Sequence, residues 1–181
     1  MAPHKIMIIR HAERPIDGGK DQGVQLDGTP NENFLTVRGW QRAGALVRLF
    51  YPLGKSSAQS PIERPTSLYA AHPDDKHHSH RTHSTLQPLA DLLGFAVNTD
   101  HARGEEAALA EAIRHQDGIA LIAWEHKAIH EIVTAMTQSE IEAPIWPDDR
   151  FDMIFILTAD PAWRLVQVPQ QLLAGDQASI F

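Results

Sequence analysis

Cysteine is absent from this sequence of 181 residues. Without it no disulfide framework can form, and a zinc site built on thiolates is excluded. Long hydrophobic runs are absent as well, since no apolar stretch is long enough to cross a bilayer, and we therefore expect no membrane partner. The first apolar run begins within a few residues of Met1 and reads as a strand. This leaves no room for a signal peptide and favours a cytoplasmic protein.

Positive charge is also scarce. The chain has 16 lysine and arginine residues and 23 aspartate and glutamate residues, which gives a formal net charge of −7. Nucleic-acid binding needs a basic face, so this balance argues against it. A small anionic ligand remains compatible, because a few local arginines set the field inside a site. The length, with no internal repeat and no linker, predicts one domain over residues 1–181.

The most informative stretch lies at the start of the chain. Four consecutive apolar residues, Ile6 to Ile9, predict a buried central strand over residues 4–9. The strand is followed directly by Arg10-His11-Ala12-Glu13. In open α/β sheets, ligands bind just beyond the carboxyl ends of the strands. A guanidinium beside an imidazole at such a position indicates a site for an anion.

Two later strands end in similar residues. A predicted strand over Thr66–Ala71 is followed by a histidine-rich segment that contains Arg81, and a buried run over Gly118–Trp124 ends at Glu125-His126-Lys127. An amphipathic helical pattern follows the second of these. His126 therefore lies at a strand-to-helix junction. Strands that alternate with helices predict a parallel sheet, which would bring these strand ends to one edge.

The remaining elements are predicted from apolar periodicity and from end signals. Thr36 is a candidate N-cap for a helix that ends near Tyr51, and Ser79 is a candidate cap for a helix that stops at Gly94. The other predicted elements are a short strand over Phe95–Asn98, a helix over Glu105–Ile113, and two closing strands near a sheet edge over Phe151–Leu157 and Trp163–Val168.

Taken in order, these motifs resemble those of the histidine phosphatase (phosphoglycerate mutase-like) superfamily. The matching features are Arg10-His11-Ala12-Glu13, the Leu-Thr-x-x-Gly start of the first helix at residues 35–39, the later Arg81, and the second histidine, His126. The resemblance implies a three-layer α/β/α sandwich with a mostly parallel, doubly wound sheet. One departure stands beside the second histidine, where glycine or serine is usual and Glu125 and Lys127 are found here.

The resemblance also implies a reaction. His11 would be the nucleophile of a metal-independent phosphatase, attacking a phosphomonoester or phosphohistidine to give a covalent phosphohistidine. Arg10, Arg81 and His126 would bind the phosphoryl group with His11 and stabilise its charge. No cofactor is implied. The expected partners are a phosphorylated small molecule or a phosphoprotein as substrate, and inorganic phosphate in the same pocket.

The acid that protonates the leaving group is less certain from sequence. Glu106 or Glu105 is the candidate, but carboxylates in the first turn of a helix also serve the helix dipole. Glu13 is interpreted as a group that orients the pocket, or equally as a surface carboxylate at a strand end.

Other functions remain open. A catalytically weak phosphate- or phosphoprotein-binding module of the same fold would keep the pocket without turnover, and a phosphomutase would transfer the group; mutases are usually longer than this chain. The histidine-rich segment His72–His83 also permits a metal-binding protein. Its three-residue spacings, His77 to His80 and His80 to His83, match no known zinc pattern.

Overall fold

The computed structural model describes residues 5–16, 18–54, 60–74, 78–159 and 161–181. The predicted start of the first strand at His4, part of the loop predicted over residues 54–65, and His77 of the histidine-rich segment lie outside the described residues. In chain order the elements are β1 (Lys5–Arg10), α1 (Val37–Phe50), β2 (Ser67–Ala70), α2 (Arg81–Leu93), β3 (Val97–Asn98), α3 (Glu106–Arg114), β4 (Ile119–Trp124), α4 (His126–Met136), β5 (Met153–Ala159) and β6 (Trp163–Pro169).

These strands form one sheet in the order β3-β2-β4-β1-β5-β6. The strands β3, β2, β4 and β1 run parallel to one another, whereas β5 pairs antiparallel with β1 and β6 pairs antiparallel with β5. The predicted mostly parallel α/β sheet is confirmed. Strands β5 and β6 are antiparallel to each other because only three residues separate them, and a parallel crossover needs a dozen or more.

Helices cover both faces of the sheet. Along β1 the side chains alternate, so that Ile6 and Ile8 pack in a core with α3 and α4, while Met7 and Ile9 pack in a second core with α1 and α2. Both sets are fully buried. This confirms the three-layer α/β/α sandwich, and it explains why the first apolar run shows no polar alternation.

The ends of the helices follow local chemistry. Thr36 caps α1 as predicted, since its Oγ1 accepts the backbone N–H of Gly39 at 3.1 Å. Gly94 ends α2 in the left-handed conformation, with φ of 68°. The N-cap position of α2 is held by His80, whose side chain makes no capping bond. The hydroxyl of Ser79, one residue earlier, accepts the backbone N–H of Arg81 at 3.4 Å. Within the described residues, no helix combines the length and apolarity needed to span a bilayer.

Candidate active site

The carboxyl ends of three neighbouring parallel strands meet at one edge of the sheet. Arg10 of β1 is in register with Trp124 of β4, and Ala70 of β2 is in register with Ala123. Just beyond β1, the backbone N–H of His11 donates to the carbonyl of Trp124 at 3.0 Å. A cavity of about 380 Å³ opens at this edge. Its described lining includes the charged and imidazole side chains of His11, Arg14, Arg81, Arg103, Glu125, His126 and Lys127.

His11 is held in one tautomer. Its ring Nδ1 lies 2.7 Å from the carbonyl oxygen of Ala12, and a carbonyl can only accept, so Nδ1 carries the proton. Nε2 therefore keeps a free electron pair. Burial, followed by the positive charge of Arg10, holds the pKa of His11 well below its ordinary value. The neutral, nucleophilic form of the ring is thus favoured at neutral pH.

Arg10 is only 1% exposed and is not among the described residues that line the cavity, but its charge lowers the pKa of both His11 and His126. One terminal nitrogen donates to the carbonyls of Asp148 at 2.6 Å and Arg150 at 3.0 Å, and the guanidinium stacks 3.8 Å over the ring of Phe151. Its Nε and other terminal nitrogen are buried with no hydrogen-bond partner among the described residues. Burial, then the charge of Arg14, lowers the pKa of Arg10 to about 10. An anion at these free N–H groups would accept the missing hydrogen bonds, and it would offset the unfavourable burial of the guanidinium charge.

Arg81, the first residue of α2, lines the cavity itself. One terminal nitrogen donates to the carbonyl of Glu32 at 2.6 Å, and Nε is buried without a partner in the described part of the chain. Burial, and then the charge of Arg14, lowers the pKa of Arg81. The structure thus brings Arg81 to the same edge as His11, although 70 residues separate them in sequence.

His126 begins α4 and is 5% exposed. Its Nε2 donates to the carboxylate of Asp148, and its Nδ1 is buried with no partner among the described residues. Burial, and then the charge of Arg10, lowers the pKa of His126, while Asp148 and Glu125 oppose this. The sequence predicted only a turn at Asp148. Its partner lies 22 residues away, so no local pattern indicates the contact.

Two other segments of the chain hold the loop after His11 in place, one through Thr85 and one through Arg42. The backbone N–H of Ala12 donates to the hydroxyl of Thr85 at 2.8 Å, and that hydroxyl donates to the carbonyl of Arg81 at 2.7 Å. The carboxylate of Glu13 points away from the cavity lining and pairs with Arg42 at 2.8 Å. This ion pair ties the loop after His11 to α1.

The two candidate acids are not brought to the cavity. The carboxylate of Glu106 is buried, and it accepts hydrogen bonds from the indole of Trp124 at 2.9 Å and from the backbone of Gly104. Glu105 is exposed and accepts the backbone N–H of Ala102 at 2.7 Å. Neither is among the described residues that line the cavity. The geometry corrects the expectation, because backbone and indole N–H groups have already engaged both carboxylates.

Among the described residues, the carboxylate that lines the cavity is Glu125, next to the second histidine. It forms an ion pair with Nε of Arg103 at 2.6 Å. The sequence marks Glu125 and Lys127 only as unusual neighbours of His126. Arg103 lies in a segment that reads as a plain loop, and no sequence signal marks it.

The comparisons with known proteins follow this geometry. No protein-family model matches the sequence, and no curated protein matches it. Solved structures do match. The protein histidine phosphatase SixA complexed with tungstate has a TM-score of 0.54 at 12% identity, covering 92% of this chain and 97% of that chain. The fold is that of the histidine phosphatases.

Two further histidine phosphatase folds are similar to this chain. YhfR of Bacillus stearothermophilus has a TM-score of 0.52 at 12% identity and covers 96% of this chain and 97% of its own. The alpha-ribazole phosphatase of Shigella flexneri has a TM-score of 0.51 at 12% identity, covering 96% and 99%. The histidine phosphatase fold therefore extends over nearly the whole chain.

The metal-binding alternative concerns a neighbouring part of the surface. His72, Asp74, His78 and His80 line a second, open depression beside the cavity. Within the described residues, no three histidine or carboxylate side chains are grouped as a metal site requires. The predicted pair of His77 and His80 includes a residue outside the described part.

Proposed function

We propose that this protein is a phosphatase in which His11 attacks the phosphorus of a phosphomonoester or phosphohistidine. The proposal is carried by one observation: Nε2 of His11 keeps its electron pair beside two arginines that have buried, unpartnered N–H groups among the described residues. A phosphoryl group supplies anionic oxygens for those N–H groups and an electrophilic phosphorus for the imidazole. The fold supports the proposal, since the similar structures include a protein histidine phosphatase and an alpha-ribazole phosphatase.

In the first step, the electron pair on Nε2 of His11 forms a bond to phosphorus. The bond from phosphorus to the leaving atom breaks, and its electron pair stays with the leaving group. Arg10, Arg81 and His126 stabilise the charge on the transferring oxygens. The proton on Nδ1 remains bonded to the Ala12 carbonyl throughout, so the ring becomes a phosphohistidine without a second proton transfer.

In the second step, water attacks the phosphorus and the bond to Nε2 breaks. Glu125 would accept the proton from that water, because it is the carboxylate among the described residues that line the cavity. With Glu105 and Glu106 away from the cavity, the first step favours substrates with good leaving groups, such as phosphohistidine or aryl phosphates. No metal is needed in either step.

Hydrolysis of p-nitrophenyl phosphate in the presence of a chelator tests the proposal. We expect wild-type turnover that resists chelation and falls on the order of 10³-fold or more in His11→Ala, because the nucleophile is removed. His115→Ala is the matched control, since His115 is an exposed histidine outside the described cavity lining whose Nε2 bonds to Glu111. We expect that variant to retain wild-type rates.

Two results would contradict the proposal in different ways. Turnover that survives in His11→Ala would overturn the choice of nucleophile. Absence of turnover in wild type, with inorganic phosphate still bound in calorimetry, would overturn the hydrolase and favour a phosphate-binding module that retains the pocket.

A further inference from the structure

The cavity carries more positive charge than one phosphoryl group requires. Among its described lining residues, Arg14, Arg81, Arg103 and Lys127 are cationic, whereas Glu125 is the only carboxylate. This concentration occurs in a chain with a net charge of −7. Positive charge gathered in one cavity of an acidic protein indicates a ligand with matching negative charge.

The cations can be divided by their partners. Arg103 is neutralised by Glu125 at 2.6 Å. Arg81, together with the buried Arg10, supplies two positive charges, which balance the two negative charges of a bound phosphoryl group. Arg14 and Lys127 remain: no carboxylate among the described residues lies within ion-pair distance of either side chain, although the charge of Lys127 acts on Asp148 from farther away.

The charge of Arg14 also opposes the charges of Arg10 and Arg81. The one described hydrogen bond of its guanidinium goes to the carbonyl of Pro15 at 3.0 Å. After burial, the charge of Arg14 is the main factor that lowers the pKa of both Arg10 and Arg81. A third cation so close to the phosphate-binding pair is repulsive unless a further anion offsets it.

Lys127 completes the same cavity on the side of His126. It follows that histidine on the first turn of α4, its side chain is exposed, and it lines the cavity. A long exposed ammonium at the mouth of a cavity can reach a ligand without losing its own hydration entirely. Lys127 and Arg14 thus line the same cavity as His11, Arg81 and His126.

We infer that the substrate carries a second anionic group, a carboxylate or a second phosphate, bound in this cavity by Arg14 and Lys127. This inference rests on the proposed function, because it assigns the first anion to His11, Arg10, Arg81 and His126. It names the substrate class as phosphorylated acids or bisphosphates, in preference to phosphate esters of neutral or cationic alcohols. The volume of about 380 Å³ accommodates a small molecule of this kind.

Stable phosphonates separate this inference from catalysis. We would measure by calorimetry the binding of 3-phosphonopropionate and of 3-phosphonopropionamide, which differ only in the charge of the second group. We expect the carboxylate to bind about tenfold more tightly in wild type, with the ratio falling as salt is raised. Propane-1,3-diphosphonate, measured in parallel, distinguishes a carboxylate from a second phosphate as the second anionic group. If it binds more tightly than 3-phosphonopropionate, the second group is a phosphate.

Three variants test whether the tighter binding of the carboxylate depends on Arg14 and Lys127. Arg14→Gln and Lys127→Gln should each lower the ratio of amide to carboxylate dissociation constants toward one. Lys20→Gln removes the same charge from an exposed lysine outside this cavity, and should keep the wild-type ratio. Loss of the ratio in Lys20→Gln as well would show that only the overall charge matters and would overturn the assignment to Arg14 and Lys127.

Phenyl phosphate, which has no second anionic group, reports the proposed function separately. Equal affinity for amide and carboxylate in wild type would overturn the second-anion site, while phenyl phosphate turnover would still support the phosphatase. A retained affinity ratio without any phenyl phosphate turnover would support the second-anion site and count against the phosphatase. Failure of both phosphonates to bind would overturn both.

Discussion

A single hydrogen bond decides which nitrogen of His11 can react. The Ala12 carbonyl requires a proton on Nδ1, and burial next to Arg10 disfavours a second proton on Nε2. The sequence places a histidine at this strand end but does not determine its tautomer. The tautomer depends on the course of the backbone after His11, which Thr85 and Arg42 hold from other parts of the chain, Thr85 through the N–H of Ala12 and Arg42 through the carboxylate of Glu13.

Nuclear magnetic resonance of the ring nitrogens of His11 tests this reasoning. At pH 7 we expect the neutral tautomer with the proton on Nδ1. Because its pKa is lowered, the ring should stay neutral as pH falls below 6.5, the ordinary histidine value, and should be protonated only at more acidic pH. The spectrum of His11→Ala assigns the signal. A proton on Nε2 at pH 7, or a titration midpoint at or above 6.5, would contradict the proposed nucleophile.

Helix α1 positions the loop that follows His11 through Gly39. A Cβ atom built at Gly39 would lie 2.4 Å from the carbonyl oxygen of Glu13 and 3.0 Å from Cβ of Leu35. The same carbonyl accepts the backbone N–H of Thr36 at 3.0 Å. The glycine of the Leu-Thr-x-x-Gly pattern therefore permits the helix to contact the backbone of the site loop, which is a more specific role than packing on the sheet.

Replacement of Gly39 by alanine should displace that loop. We expect Gly39→Ala to lower the free energy of unfolding by about 1–3 kcal/mol through overpacking, and to lower turnover, because His11 moves with the loop. Gly44→Ala on the same helix is the control, since nothing lies within 4 Å of its added Cβ. That change should stabilise the protein by up to about 1 kcal/mol. Thermal denaturation and turnover assays of both variants measure these effects, and equal behaviour would contradict the role of Gly39.

The elements were predictable where one physical signal dominates. The apolar runs of β1 and β4 reflect strands buried on both faces, and Thr36 and Gly94 mark helix ends by local hydrogen bonding and by positive φ. The antiparallel direction of β5 relative to β1 was not predictable, because periodicity does not encode strand direction. The N-cap position of α2 lies at His80, one residue after the predicted Ser79, although the hydroxyl of Ser79 accepts the first N–H of the helix.

The candidate site was predictable only in part, for a related reason. His11, Arg81 and His126 follow strand ends, and the parallel sheet brings strand ends together. The carboxylates depend instead on contacts between distant segments. Glu106 is engaged by Trp124 of another strand, and Asp148 reaches His126 from a turn. Such partners leave no periodic trace in the sequence.

Across the whole molecule, a buried ionic cluster links the C-terminal segment to the site loop. Arg42 on α1, which is 2% exposed, pairs with Glu13 at 2.8 Å and with Asp176 at 2.7 Å, and it also donates to the side chain of Gln170 at 2.9 Å. Residues separated by more than 130 positions are thus held together through one guanidinium. Removal of one partner leaves a buried charge uncompensated, so the stability of the entire fold depends on this cluster.

Asp176 makes that stability depend on pH. Burial alone would raise its pKa, but hydrogen bonds from Arg42 and the backbone of Leu172 and Leu173 lower it to about 2. The carboxyl group therefore binds its proton more tightly in the unfolded chain than in the folded protein. Above about pH 4 the ionised carboxylate contributes roughly 2 kcal/mol to the free energy of unfolding, and this contribution is lost as pH falls through 2. In urea denaturation, Asp176→Asn should therefore cost about 2 kcal/mol at pH 6 and about 1 kcal/mol less at pH 3. Asp21→Asn, an exposed control, should change little at either pH. An equal cost of Asp176→Asn at both pH values would mean that its charge does not stabilise the fold.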